Sequence, residues 1–108
     1  MKINIKATNL DLTPSITKYV EEKMFSVEKF LKRFEEKSEI EVFFEIARTT
    51  KHHRKGEVFR AEANMELPGK MLRADHEDWD IGVAIDKVKD KLQVEAKKHK
   101  EIKNDKRK

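Results

Sequence analysis

From Asp78 to the C-terminus, Ile81, Ala84, Ile85, Val88, Leu92 and Ala96 recur at three- and four-residue steps, and His99 extends the row. At about 100° per residue these positions share one sector of an α-helix. The sector is wide enough to dock on a sheet, so the remainder of the chain is expected to supply one. Lys87, Lys91 and Lys98 lie together on the flank of this sector, with Val94 in the gap between them. Asp75, Glu77, Asp78 and Asp80 crowd the start of the predicted helix, where negative charge suits the helix dipole, and lysines crowd its end. From Lys97 onward seven Lys or Arg face two acids, a local charge of +5. The whole chain carries only +4, so residues 1–96 sum to −1. The positive excess sits in the tail, and a polyanion is the partner it suits.

The preceding residues read as the sheet. Ile3, Ile5 and Ala7 alternate with Lys2, Asn4 and Lys6, the pattern of a half-buried strand. Thr13-Pro14 supplies a helix N-cap followed by proline at the first helical position. The first helix is predicted to run to about Phe34 or Lys37, burying Ile16, Val20, Met24, Val27, Leu31 and Phe34, with Lys23 at the edge of that face. Lys18, Lys29, Lys32 and Arg33 fall on its far side. Residues 39–49 form a second strand with Ile40, Val42, Phe44 and Ile46 inward and Phe43 outward. A third strand has Phe59, Ala61, Ala63, Met65 and Leu67 inward. Pro68-Gly69 marks a turn, and residues 70–76 return with Leu72 and Ala74 inward. The expected fold is α+β, ordered β-α-β-β-β-α. The first crossover is parallel and the later strands are antiparallel hairpins, giving a four-stranded mixed sheet with two helices packed on one face. Residues 1–103 form one domain and 104–108 a basic tail.

Composition removes several function classes. With 43% charged residues against roughly 25% in ordinary chains, disorder is a possibility, but the periodic apolar residues favour a folded domain. No cysteine is present, hence no disulfide, thiol nucleophile or cysteine zinc site. No apolar run approaches the roughly 20 residues of a membrane span, and the N-terminus enters a strand without a signal-peptide core. A cytoplasmic protein is the simplest reading. His52 and His53 are neighbours that point apart in a loop, and His76-Glu77-Asp78 is better explained as a strand end feeding an acidic helix start than as a metal site. The three glycines make no phosphate-cradling loop. No enzyme, metal, cofactor or small-molecule substrate is expected.

A lysine stripe alone has a plain reading as a solvated helix face. Two further features favour RNA: the basic tail, and the loop Thr49–Gly56 with Lys51, His52, His53, Arg54 and Lys55. Phe25, directed away from the predicted core, adds little, since scattered exposed apolar residues are ordinary. Other stretches carry a resemblance. Leu12-Thr13-Pro14-Ser15-Ile16 follows the opening strand. Tyr19-Val20-Glu21-Glu22-Lys23 and Val27-Glu28-Lys29-Phe30 give the first helix, and Asp80, Ile85, Asp86, Asp90, Lys91 and Leu92 align without a gap in the last, with Lys98 to Lys100 as a basic ending. In order and spacing, over residues 1–103, the chain resembles the ribosome hibernation-promoting factors and ribosome-associated translation inhibitors, also called sigma-factor modulation proteins.

The resemblance implies a fold similar to double-stranded-RNA-binding domains, and binding to the small ribosomal subunit and its rRNA in the channel that holds messenger and transfer RNA. It implies translation inhibition under stress by a protein that is a monomer when free. Carried over by position, Lys23, Lys29, Lys91 and Lys98 are the foremost contacts. Lys87, Lys97, Lys100, Arg54 and Lys55 complete the expected RNA-binding set. Two departures stand out. Gly82 replaces a signature tyrosine, with Trp79 as the candidate to fill its space. Val94-Glu95-Ala96 replaces Arg-Gln-Leu and removes a cation from mid-stripe. Longer members of that family carry a ribosome-pairing domain, which this chain is expected to lack. The competing readings are a general structured-RNA-binding or assembly protein on the same fold, and a protein-interaction module in which the open sheet face or Phe25 docks a partner and the tail merely aids solubility.

Overall fold

The computed structural model describes residues 1–32, 39–49 and 58–105, except for the side chains of 103–105. Strand β1 (Lys2–Thr8) leads through Asn9, in the left-handed region at φ 61°, to helix α1 (Pro14–Glu28). Strands β2 (Glu41–Thr49), β3 (Val58–Leu67) and β4 (Lys70–Asp78) follow, then helix α2 (Ile81–Asp105). The sheet order is β1-β2-β3-β4, with β1 and β2 parallel and the other two pairings antiparallel. This is the mixed sheet expected from the alternation of residues. The β3–β4 turn has Gly69 at φ 74°, a conformation that side chains with a Cβ rarely adopt.

One core joins the inward face of the sheet to both helices. Val20, Met24, Val27 and Leu31 come from the α1 segment, and Ala84, Ile85, Val88, Leu92 and Ala96 from α2. Val42, Phe44, Ile46, Met65 and Leu72 rise from the strands between them. Alanines at 61, 63 and 74 are fully or nearly fully buried. Their small side chains let α2 lie close over β3 and β4, the strands it packs on. The seam read from the sequence is therefore the face that α2 buries, with Ile81 partly covered at one end and His99 buried at the other.

The boundaries differ at three places. Helix α1 stops at Glu28 rather than continuing to Phe34 or Lys37, and residues 33–38 lie outside the described segments. At its end Ser26 Oγ donates to the Lys23 carbonyl at 2.6 Å, competing with the helical ladder. Phe30 and Leu31 N–H groups then bond three residues back, to Val27 and Glu28, tightening the chain so that Leu31 still enters the core. Strand β4 continues to Asp78, so α2 begins later than expected. Asp75, Glu77 and Asp78 belong to the strand, and Asp80 alone caps the helix: its Oδ1 accepts from Val83 N–H at 3.1 Å. On β3, Val58 is fully buried while Phe59 is only partly so, one residue off the expected alternation at that end.

Candidate nucleic-acid interface

Helix α2 presents two polar flanks of different character. On one, Lys87, Lys91 and Lys98 are exposed in a line, with Val94 half exposed between them. Lys91 Nζ donates to the Asp75 carbonyl of β4 at 2.6 Å, which orients this flank toward the sheet edge. Lys98 lies 3.9 Å from Glu95, a loose pair between exposed groups that leaves its ammonium available. Val83 is also exposed on this side, so the stripe interleaves apolar and cationic positions.

The other flank faces α1. Asp86 accepts the Tyr19 hydroxyl at 2.5 Å and pairs with Lys23 Nζ at 3.1 Å, while that ammonium also lies 5.1 Å from the Tyr19 ring. Burial pushes the Asp86 carboxyl up, but the Tyr19 hydrogen bond and the Lys23 ammonium together hold it below the ordinary carboxylate range. The hydrogen bond to Asp86 raises Lys23, and the same carboxylate raises Tyr19 through the bond it accepts. Lys23 and Asp86 are thus both ionised at neutral pH and neutralise each other. Further along, Lys97 Nζ sits 5.0 Å over the Phe30 ring, and Lys100, one helical turn on, shares that flank. Lys29 is exposed at the C-cap of α1, one residue before Phe30.

The expected RNA-binding residues therefore fall into two groups. Lys87, Lys91 and Lys98 share the β4 flank; Lys23, Lys97 and Lys100 share the α1 flank, near Lys29. Arg54 and Lys55 lie outside the described residues. Trp79 does not fill a packed position in place of the signature tyrosine: it is 62% exposed at the β4–α2 junction. The clasp of Tyr19, Lys23 and Asp86 was not anticipated, because periodicity within one helix gives no information about which polar residues meet across two.

A family profile described as sigma 54 modulation protein / S30EA ribosomal protein matches residues 3–104. The chain belongs to this family. Within it, the chain is 30% identical over 101 residues to the ribosome hibernation promoting factor of Pseudomonas putida, covering 94% of this chain and 88% of that one. Its structure is similar to the N-terminal domain of Thermus thermophilus Protein Y, at 27% identity and a TM-score of 0.68, covering 92% of this chain and 99% of that domain. A ribosomal subunit interface protein from Coxiella burnetii shares the fold, at 22% identity and a TM-score of 0.75, covering 93% and 98%. The family that the helix patterns resemble is thus the one matched.

Proposed function

We propose that this protein is a non-enzymatic ribosome-binding hibernation factor. Its helix layer occupies the small-subunit decoding channel and blocks translation by excluding messenger and transfer RNA. The observation that carries the reading is the exposed Lys87–Lys91–Lys98 flank in a chain of this family. The name of its Pseudomonas putida relative points to ribosome hibernation. Lysine ammonium groups offer charge to phosphates without reading base edges, which suits a folded RNA surface recognised by shape. Lys91 is tethered to β4 and Lys97 rests on Phe30, so part of the cationic surface is preorganised before RNA arrives.

Co-sedimentation with purified small subunits, in the presence of excess duplex RNA of unrelated sequence, tests this proposal. A hibernation factor stays with the subunit and is displaced when messenger and initiator transfer RNA are loaded first. Capture by the competing duplex would instead identify a general structured-RNA binder on the same fold.

A further inference from the structure

Strand β1 is one outer edge of the sheet, and among the described residues no strand pairs with its outer side. A single bond sets the backbone phase of that edge: Lys2 N–H donates to the Ile40 carbonyl at 2.9 Å. Alternate residues of a strand turn their N–H and C=O to opposite sides, so Lys2, Asn4 and Lys6 face β2. Ile3, Ile5 and Ala7 therefore direct both backbone groups at the open edge. Pairing with β2 runs unbroken from Lys2 opposite Glu41 to Thr8 opposite Ala47, so no bulge turns the edge away. Ile3, Ile5 and Ala7 are also only partly buried, whereas Val42 and Ile46, their partners on β2, are fully buried. Thr17, Glu21 and Phe25, at four-residue steps on α1, line a depression of about 330 Å³ with Met1, Ile3 and Ile5. Phe25 is 44% exposed there. The opposite edge, β4, is guarded, because Lys91 Nζ occupies its Asp75 carbonyl at 2.6 Å.

We infer that the β1 edge pairs with the same edge of a second copy, antiparallel about Ile5. An occupant must be extended and apolar at every second residue, and β1 is itself such a segment. Centring on Ile5 pairs all seven residues of the strand. Ile5 meets the partner's Ile5, Ile3 meets the partner's Ala7, Asn4 the partner's Lys6, and Lys2 the partner's Thr8. The residues with open backbone groups thus meet one another, and each such pair exchanges both N–H···O bonds. Opposed residues share a face, so the partner's Ile5 and Ala7 lie on the helix side, toward the depression beside Phe25. The lysines select this register. Centring on Asn4 sets Lys2 against the partner's Lys6, and centring on Lys6 sets two Lys6 side chains against each other; like charges so placed repel. About Ile5 each lysine meets a neutral residue. The contact is isologous, so it closes as a dimer and builds no longer chain. The basic tail is the wrong occupant, since residues 103–108 contain no apolar side chain. Helix α2 packs over β3 and β4, away from this edge, so its lysine flank stays open in the dimer. The resemblance implies a free monomer; here the monomer is in equilibrium with this dimer, whether or not the ribosome is the partner of the helix layer.

The test follows the intact protein by sedimentation equilibrium up to millimolar concentration, with amide hydrogen exchange read residue by residue. The mass is expected to rise from 12.8 kDa toward twice that value. Amides of Ile3, Ile5 and Ala7 should exchange fast in dilute protein and slow as the dimer forms, while those of Lys2, Asn4 and Lys6 are slow throughout. Ala7→Pro deletes an edge N–H that β2 does not use, a place where a strand tolerates proline, and should weaken association about tenfold. Phe25→Glu puts a charge beside the groove from an exposed helix position. It should weaken association by a similar factor with circular dichroism unchanged, and so covers the case in which Ala7→Pro fails to fold. Lys91→Glu with Lys98→Glu should leave association intact. A mass that stays at one chain up to millimolar protein would overturn the inference. So would association that leaves the Ile3, Ile5 and Ala7 amides fast, or that survives undiminished in Phe25→Glu.

Discussion

Asp86→Asn isolates the clasp between the two helices. The Asp86 carboxylate accepts the Tyr19 hydroxyl at 2.5 Å and holds Lys23 at 3.1 Å. Asparagine keeps the shape and a neutral acceptor but loses the charge. A hydrogen bond to a charged group is worth about 1.5–3 kcal/mol when shielded, against about 1 for a neutral one. Asp86 and Lys23 are each more than a third exposed, so the ion pair adds no more than about 0.5 kcal/mol after screening. The expected net loss is about 1 kcal/mol, which in a domain of this size lowers Tm by about 4–6 °C. The pH dependence has a definite sign. Asp86 is held below its ordinary value, so its contribution is complete above an unfolded pKa of about 3.9 and is lost as pH falls through the folded value. Tyr19 and Lys23 are raised, so their contribution is complete below about pH 10 and is lost as pH rises through their folded values. Thermal unfolding of both proteins from acid to alkali should therefore show a gap at neutral pH that closes at both ends. Equal Tm values at pH 7, or a gap that persists undiminished in strong acid, would refute the clasp as a stabilising element.

Leu92→Ala removes a fully buried side chain from the centre of the α2 seam and should cost about 2–5 kcal/mol, read as a lower denaturation midpoint at unchanged m. Lys91→Glu with Lys98→Glu should leave circular dichroism unaltered and weaken ribosome binding. It should also flatten the log–log salt dependence by roughly 0.7–0.9 for each phosphate that the variant no longer neutralises.

Most of the fold was legible because alternation and three-to-four spacing report burial directly. Ile81 to His99 predicted the buried face of α2, and the outward placement of Phe25 and Phe43 followed from the same patterns. Thr13-Pro14 predicted the start of α1, and the Thr13 hydroxyl accepts from Ile16 N–H as an N-cap should. The end of α1 was not legible, since Leu31 satisfies helical periodicity while reaching the core from a tight turn after Glu28. Acidic residues near α2 looked like one dipole-matched group, yet β4 absorbs Asp75, Glu77 and Asp78 because strand pairing with β3 extends to Phe59. For the interface, spacing placed Lys87, Lys91 and Lys98 on one exposed flank. It could not reveal that Lys23 already has Asp86 as a partner, because that depends on a contact between elements distant in sequence.

The central claim is steric occupation of the decoding channel, and cell-free translation with purified ribosomes tests it most directly. Protein is added either to idle ribosomes or to ribosomes already carrying message and initiator transfer RNA. On this account, idle ribosomes lose activity in proportion to dose, reaching a floor near one protein per ribosome when binding is tight, while preloaded ribosomes resist. A high-salt wash then restores activity, because the hold is largely electrostatic. Equal inhibition of preloaded ribosomes, or ribosomes that stay inactive after the protein has been washed away, would contradict the mechanism.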